Sequence, residues 1–231
     1  MMDKVMPTGS WKFDESVTAV FSDMLSRSIP QYDVMRDLVF KLGSHFIEPN
    51  KSVIDLGCST GLAVEPFVNT FDDVAYHLYD VSEPMLRACK ERFKSKSNVS
   101  VKHHDVTTGI NVNDACLVLS VLSVQFTPIE HRQRIIKSIY DALDKGGAFI
   151  FVEKVLGNCV ELDNLLVSEY YKLKVDNQYT EEQIKAKRKS LEGVLVPLTA
   201  DWNTDMLYKA GFKRIDCFYR VLNFAGWVAI K

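Results

Sequence analysis

Three aspartates in the first half of the chain are spaced as ligand-binding carboxylates of a parallel α/β sheet would be. Asp55, Asp80 and Asp105 each follow or end a short apolar segment that is predicted to be a β-strand. The carboxyl ends of parallel strands meet at one edge of a sheet, where such sheets bind ligands. A carboxylate there can accept charge-assisted hydrogen bonds from ribose hydroxyls or from an amino group of adenine. A single acid after a strand is more often a turn or helix cap, but three in succession favour a nucleotide ligand.

A glycine-bearing turn follows the first of these strands. Ser52–Leu56 is predicted to be a buried parallel strand, and Asp55, Gly57 and Gly61 form a D-x-G-x-x-x-G pattern before an amphipathic helix. We expect the free N–H groups of this turn and the helix N-terminus to face the ligand. This spacing is typical of S-adenosylmethionine (SAM) sites, whereas dinucleotide sites carry G-x-G-x-x-G. The alternative is a strand–turn–helix unit without a ligand.

The elements that position these residues are predicted from apolar periodicity. Residues 1–10 are expected to be a loose tail. Helices are predicted at 13–28, 32–46, 83–93, 128–143, 160–175, 181–192 and 204–210, and strands at 52–56, 74–79, 99–104, 115–121, 148–152, 212–219 and 221–230. Repeated strand–helix units followed by an antiparallel pair predict an α/β protein with the class I methyltransferase (Rossmann-like) fold, whose seven-stranded sheet is mostly parallel. One domain, residues 1–231, would then contain N-terminal helices at 13–46 and a helical insertion, or lid, at 157–198.

Composition narrows the classes of partner. The 231 residues carry a formal net charge of -2, which gives no support for direct nucleic-acid binding. Without a long apolar run or a signal-peptide core, we expect a cytoplasmic protein that acts on a small molecule and not at a membrane. The five dispersed cysteines are expected to be reduced thiols. His103 and His104 have no cysteine or carboxylate cluster beside them at ligand spacing, so no metal site is predicted.

The predicted lid contains an arginine on its inward face. Thr180–Gln183 is a capping box that starts a helix. From there Ile184, Arg188 and Leu191 share one face. Arg188 therefore projects toward the packed side, although the sequence alone slightly favours an arginine with its stem on the core and its head in water. Tyr32, at the start of the second helix, is either a core aromatic or part of the pocket mouth.

From residue 13 to residue 229 the chain resembles the carboxy-S-adenosyl-L-methionine (carboxy-SAM) synthases. Arg27-Ser28-Ile29-Pro30-Gln31-Tyr32 and Lys187-Arg188 are the most specific matching segments. Others are Phe13-Asp14, Val20-Phe21-Ser22-Asp23-Met24, Asp55-Leu56-Gly57-Cys58-Ser59, Gln125-Phe126, Gly146-Gly147-Ala148, Glu153-Lys154, Tyr179-Thr180-Glu181, Lys209-Ala210-Gly211-Phe212 and Leu222-Asn223-Phe224.

The resemblance implies an activity and a ligand set. Such enzymes convert SAM and prephenate to carboxy-SAM and phenylpyruvate, supply the donor for a wobble-uridine modification of tRNA, and pair as homodimers. It implies that SAM or carboxy-SAM is held by Tyr32, Asp55, Gly57, Cys58, Ser59, Asp80, Val81, Asp105, Val106 and the position of Val121, with Arg188 holding the new carboxylate. The family has an Asn where this chain has Val121, whose side chain forms no hydrogen bond. Ser120 or Ser123 would have to substitute, or the specificity has changed.

Two other functions stay open at this point. A conventional SAM-dependent methyltransferase could have kept the scaffold and changed its acceptor, and Val121 favours it. A non-catalytic SAM-binding partner subunit is the second alternative. Arg188 favours the carboxylating enzyme, because a bare guanidinium beside a sulfonium is repelled unless an anion lies between them.

Overall fold

The computed structural model describes residues 2–231, in which helices and strands alternate. The helices are α1 (Glu15–Ser28), α2 (Tyr32–Ser44), α3 (Glu65–Thr70), α4 (Glu83–Arg92), α5 (Ile129–Ala142), α6 (Val160–Asp176), α7 (Glu181–Leu191) and α8 (Ala200–Ala210). The strands are β1 (Ser52–Leu56), β2 (Ala75–Asp80), β3 (Val99–His103), β4 (Ala115–Val121), β5 (Leu143–Leu156), β6 (Leu198–Thr199), β7 (Arg214–Val221) and β8 (Phe224–Ile230). Single turns of 3-10 helix follow β3 and β4, at Val106–Thr108 and Val124–Phe126.

The strand order places a ligand crevice at β1 and β4. The sheet runs β3-β2-β1-β4-β5-β8-β7; strands β1 to β5 pair in parallel, and β8 lies antiparallel between β5 and β7. The chain moves outward from β1 to β3 and then returns to β4 on the other side of β1. In open α/β sheets this reversal leaves a crevice outside the carboxyl ends of the two central strands. The ends of β1 and β4 therefore flank the expected binding position.

Local sequence signals account for the helix ends near the crevice. The Asp14 carboxylate accepts a hydrogen bond from the Val17 N–H at 3.1 Å and caps α1. Helix α1 ends at Ser28 because Pro30 disfavours a helical conformation at Ile29, which is extended. The capping box predicted for α7 is present, since Thr180 and Gln183 exchange side-chain-to-backbone hydrogen bonds.

Two elements begin earlier than predicted, and one short strand was not predicted. Strand β5 begins at Leu143 rather than 148, because Leu143 already pairs with Ala115 before an irregularity around the Gly-Gly pair. Helix α8 begins at Ala200 rather than 204, because the Thr199 hydroxyl accepts from Trp202 N–H and supplies an earlier cap. The two-residue strand β6, which pairs with β5, was not predicted.

The prediction of a loose tail over residues 1–10 is wrong at Asp3 and Val5, whereas residues 6–10 are largely exposed and have no regular secondary structure; Met1 lies outside the described residues. Asp3 is 1% exposed and forms an ion pair with Lys187 of α7. Its carboxylate also accepts from the Tyr179 hydroxyl at 2.6 Å, and its N–H donates to Asp23 at 2.7 Å. The N-terminal segment (residues 2–14) is thus attached to α1 and to α7 by buried polar contacts.

Cores lie on both faces of the sheet. Val53, Leu117 and Ile150 pack against α2 and α3 residues on one face, and Ile54, Val118 and Phe149 against α5 and α8 residues on the other. Burial on both faces explains why β4 reads as an almost continuous apolar run. No helix among the described residues has the length and hydropathy that crossing a membrane requires.

Candidate functional site

A cavity of about 380 Å³ opens at the carboxyl ends of β1, β4 and β5. Helices α1, α2, α6 and α7 form its other walls. Its volume is in the range of small-molecule sites, and most of its lining is apolar. Of the residues predicted to bind the ligand, the cavity is lined by Tyr32, Gly57, Cys58, Ser59, Val121 and Arg188.

The turn after β1 is fixed by two glycines. Gly57 has φ +71° and Gly61 has φ +83°, conformations that favour glycine, and a Cβ at Gly57 would overlap the Ser123 hydroxyl. The expectation that the first N–H groups of the turn are free is wrong. Gly57 and Cys58 donate to the Tyr79 carbonyl at 2.8 and 2.9 Å, and Ser59 donates to Asp80 Oδ2 at 2.9 Å. These bonds tie the turn to β2, because the two parallel strands end side by side.

Two non-glycine residues on the cavity wall adopt a left-handed backbone. Ser59 has φ 48° in the turn after β1, and Leu122 has φ 60° directly after β4. Such conformations cost roughly 1–3 kcal/mol each and persist only where neighbouring contacts impose them. For Leu122 those contacts include its N–H bond to the Val152 carbonyl at 2.7 Å. The strain lies where the two central strands turn away from the crevice.

The acids after β2 and β3 continue the same edge of the sheet, outside the cavity wall. Asp80 accepts Ser59 N–H on Oδ2 and Ser82 N–H on Oδ1, at 2.9 and 2.8 Å. Each oxygen retains a lone pair for a ligand hydroxyl. Val81, next to it, is 58% exposed. The edge is therefore open to a ligand that extends beyond the cavity.

Asp105 also acts as a local cap. Its Oδ1 accepts from the Thr107 N–H at 2.9 Å, at the start of the 3-10 turn that contains Val106. Hydrogen bonding from Thr107 lowers the pKa of this exposed carboxyl, so Asp105 is ionised at neutral pH. The structure therefore shows Asp105 as a local cap, and its contact with adenine remains a prediction.

Asp55 is the most unusual acid of the site. It is buried, and its Oδ2 has no hydrogen-bond partner among residues 2–231. Burial, with the neighbouring charge of Asp80 as the second cause, raises the pKa of Asp55 to about 7. Buried polar atoms are rarely left without a partner. Asp55 is not among the described residues that line the cavity, so a hydrogen bond from the aminoacyl end of SAM to its carboxylate stays a prediction.

Tyr32 is buried in the cavity wall at the start of α2. Burial raises its pKa to about 12, so the phenol keeps its proton at physiological pH and can donate a hydrogen bond. The residue before it, Gln31, has φ 48°. This left-handed turn between α1 and α2 directs the chain so that both helices line the cavity.

Arg188 lies on the wall that α7 contributes. Ile184, Arg188 and Leu191 all line the cavity, and the arginine side chain is exposed. The ion pairs of α7 use Lys185 and Lys187, and Arg188 is in none with residues 2–231. Its charge is close enough to Lys154 to contribute to the lowered pKa of that lysine. The guanidinium is therefore a cation available to a ligand.

The wall at Val121 is apolar. Ser120 is fully buried with its Oγ unpartnered among the described residues, and Ser123 packs against Gly57. Of residues 2–231, neither serine is part of the cavity lining. Gln125 lines the cavity, but its amide accepts from Lys154 N–H at 2.7 Å and donates to the Leu122 carbonyl at 3.4 Å. The structure therefore does not support Ser120 or Ser123 as a substitute for the Asn side chain that the family has at the position of Val121.

Sequence reasoning missed two lysines and a tyrosine on the cavity wall. Lys154 lies near the end of β5, and Tyr170 and Lys174 lie on α6. Tyr170 and Lys174 are four residues apart, so they lie on the same face of a helix. That spacing was a usable signal, but it does not tell which face of α6 is inward.

Comparisons with known proteins agree with this geometry. A family model described as a methyltransferase domain matches residues 53–147, from β1 to the start of β5. A Methylococcus capsulatus protein named carboxy-S-adenosyl-L-methionine synthase is 35% identical over 224 residues, which cover 95% of this chain and 93% of that protein. A Staphylococcus epidermidis protein of the same name is 34% identical over 96% of this chain and 97% of its own length.

Solved structures show the same fold at low identity. Phosphoethanolamine N-methyltransferase 2 of Haemonchus contortus, solved with SAM, matches with a TM-score of 0.66 at 13% identity, over 95% of this chain and 57% of that one. The CurJ carbon methyltransferase matches with a TM-score of 0.66 at 12% identity, over 94% of this chain and 61% of that one. This chain spans less than two thirds of either structure. The predicted class I methyltransferase fold is confirmed, with β6 as an additional short strand.

Proposed function

This chain belongs to the carboxy-S-adenosyl-L-methionine synthase family and is a SAM-dependent transferase, and from that premise we propose that it converts SAM and prephenate to carboxy-SAM and phenylpyruvate. The observation that carries this proposal is Arg188, which has no ion-pair partner within residues 2–231 and lies on the wall of the cavity that contains the Gly57–Ser59 turn. A conventional methyl donor site has no evident use for such a charge.

The charge of Arg188 has a direct physical consequence. SAM carries a sulfonium cation, and two unit charges 4 Å apart repel by about 4 kcal/mol at an effective dielectric of 20. A carboxylate between the sulfonium and the guanidinium turns repulsion into two attractions. Arginine can also grip a carboxylate through two parallel N–H bonds. Arg188 would therefore favour carboxy-SAM over SAM.

The reaction balances without a further reactant. The carboxyl on the prephenate ring leaves as carbon dioxide, the ring hydroxyl leaves with a proton of the SAM methyl group as water, and the ring becomes aromatic in phenylpyruvate. The carbon dioxide forms a bond to the methyl carbon. SAM supplies a methyl group that the sulfonium makes acidic. The lid residues on α6 and α7 would keep water out while the carbon dioxide is captured.

The chain's own residues take separate tasks in this proposal. The Gly57–Ser59 turn and Tyr32 hold the nucleoside and amino-acid ends, with Asp55 accepting from the latter. Asp80 and Val81 contact the ribose, and Asp105 and Val106 contact the adenine. Arg188 holds the carboxylate as it forms on the former methyl group.

A conventional methyltransferase is the second candidate, and Val121 is the observation that favours it. An apolar wall at this position removes a hydrogen bond that the family's Asn would offer to the ligand. In that case the chain would bind SAM and its demethylated product and show no preference for a carboxylated nucleoside.

The binding preference of Arg188→Ala tests the proposal. We expect the variant to bind SAM at least as well as the wild type and to bind carboxy-SAM at least about tenfold more weakly, since a charge-assisted pair is lost. Calorimetry with both nucleosides measures this. Lys185→Ala is the matched control, because Lys185 lies one turn away on α7, exposed and paired with Glu181. An unchanged carboxy-SAM preference in Arg188→Ala would show that the arginine does not hold the carboxylate.

The remaining parts of the proposal concern the whole protein. We propose that residues 1–231 form one domain and that the protein is located in the cytoplasm. Its product would be used by a tRNA-modifying transferase, and this protein itself would not contact nucleic acid. We also propose a homodimer. Helix α6 exposes Val160, Leu162 and Leu165, and apolar side chains of this kind are suited to pairing with a second copy.

A further inference from the structure

Besides Arg188, two lysines line the cavity, and both are more buried than surface lysines usually are. Lys174 is 7% exposed, and Lys154 is half-buried near the end of β5. Their ammonium groups lie 5.1 and 4.8 Å from the centroid of the Tyr170 ring. Neither ammonium is in an ion pair or a side-chain hydrogen bond with any of residues 2–231. A buried ammonium without an anionic partner is costly and uncommon.

We propose that Lys154, Lys174 and the Tyr170 ring form the binding site for an anionic co-substrate that carries a carboxylate on an apolar ring or chain. This inference rests on the proposed function, because it assigns the co-substrate's anionic end to residues other than Arg188. The two ammonium groups supply the charge, and the ring of Tyr170 on α6, which lines the cavity, supplies an apolar surface. Prephenate has both features, two carboxylates and a carbon ring.

The acids near the two lysines are already engaged with other groups and do not neutralise the ammonium charges. The groups that act on Lys174 are Lys154, Lys187 and Asp3, and those that act on Lys154 are Asp163 and Arg188. Asp3 already forms its ion pair with Lys187, and Asp163 accepts the Gly157 N–H at 2.7 Å. The aromatic faces near Lys174 are Tyr170 and Tyr179. Cations thus outnumber the acids that could neutralise them.

Burial leaves these lysines ready to take up protons. Desolvation is the first cause and lowers the pKa of Lys174 to about 7 and that of Lys154 to about 8. A bound carboxylate stabilises the charged form and raises both pKa values. Binding near pH 8 should therefore be accompanied by proton uptake, and the affinity should fall as the pH rises above about 7, the pKa of Lys174 in the free protein.

The test is calorimetric titration of prephenate into protein saturated with S-adenosylhomocysteine, which cannot react. We expect Lys174→Gln and Lys154→Gln each to weaken prephenate binding at least about tenfold. Titrations at pH 8 in two buffers of different ionisation enthalpy give the protons taken up. Uptake should be present in the wild type and reduced in Lys174→Gln. Lys172→Gln is the control, since Lys172 lies on α6 two residues away, exposed and paired with Glu169.

A second variant guards against a folding defect in Lys174→Gln. Lys174→Arg keeps a cation that does not deprotonate in proteins, so it should bind prephenate without the proton uptake that Lys174 contributes. Unchanged affinity for S-adenosylhomocysteine shows that each variant retains the nucleoside site. Prephenate binding by both glutamine variants with wild-type affinity and wild-type proton uptake would overturn the lysine site, as would the absence of binding to the wild type.

Turnover separates this inference from the proposed function. A wild-type protein that binds prephenate through the lysines and forms no carboxy-SAM would support the lysine site and contradict the proposed reaction. A wild-type protein that forms carboxy-SAM, with an unchanged KM for prephenate in both glutamine variants, would contradict the lysine site alone.

Discussion

Asp80 links two turns and the predicted ribose contact through one carboxylate. Its two oxygens accept the N–H groups of Ser59 and Ser82. Ser59 belongs to the strained turn that lines the cavity, and Ser82 caps α4. A ligand hydroxyl would therefore meet an acceptor whose position is fixed by backbone on both sides.

We predict that Asp80→Ala weakens SAM binding by at least about a hundredfold, because hydrogen bonds to a charged group contribute about 1.5–3 kcal/mol each and the turn loses its tie to β2. Equilibrium dialysis or calorimetry with SAM measures the loss. Asp73→Ala, an exposed acid in the loop before β2, is the control. SAM affinity that survives in Asp80→Ala would place the ribose contact on another residue.

Residues differ in how far the sequence alone predicts them. Asp80 and the Gly57 turn follow from strand periodicity, since the end of a buried strand is visible in the apolar pattern. Lys174 does not follow from it, because α6 has little separation of apolar and polar faces and its inward side is decided by the packing of Tyr170 against Phe224. The buried state of Asp3 depends on a partner 184 residues away.

At the scale of elements, the N-terminal segment (residues 2–14) links the lid to the body of the protein. Trp11 N–H donates to the Ser190 carbonyl of α7 at 2.8 Å, and Trp11 and Phe13 line the cavity. The Asp3–Lys187 pair lies at the same junction and is almost fully buried. The segment therefore supports the wall of the cavity that α7 forms.

We predict that Asp3→Ala lowers the free energy of unfolding by about 3–5 kcal/mol, the cost of leaving one partner of a buried ion pair uncompensated. Urea denaturation at neutral pH measures it, with Lys4→Ala, an exposed neighbour, as control. The double variant Asp3→Ala, Lys187→Met should regain much of the loss. A single variant as stable as the wild type would mean that the pair contributes little.

Elements were predicted better than their ends and their partners. The strands from β1 to β4 and the helices of the lid lie within one or two residues of the predicted ranges, since their apolar spacing is regular. The early start of β5 and the strand β6 depend on pairing with distant strands. Local patterns do not contain that information.

At the scale of the whole molecule, buried acids and buried lysines change the stability in opposite directions as the pH rises. Burial raises the pKa of Glu153 to about 8, and the Arg132 charge opposes this only in part. Asp55 behaves in the same way. A carboxyl with a raised pKa binds its proton more tightly in the folded state, so it lowers stability as pH rises from the unfolded to the folded value. Lys154 and Lys174, with lowered pKa values, raise stability as pH rises above about 7.

We predict that Glu153→Gln becomes progressively more stable than the wild type between pH 4.5 and about pH 8, by at most about 1.4 kcal/mol per pH unit. The amide mimics the protonated acid and has no ionised form to bury. Urea denaturation at pH 5 and pH 8 measures the difference. Asp55, Lys154 and Lys174 are present in both proteins, so their pH-dependent contributions to stability cancel. A stability difference independent of pH would mean that Glu153 is ionised throughout.

The formation of carboxy-SAM tests the central claim most directly. The purified protein is incubated with SAM and with prephenate that carries ¹³C in its ring carboxyl group, and the nucleosides are analysed by mass spectrometry. We predict a SAM derivative heavier by one labelled carbon dioxide, formed together with phenylpyruvate and lost in Arg188→Ala. SAM recovered unchanged, or its demethylated product with a methylated acceptor, would contradict the carboxylating function.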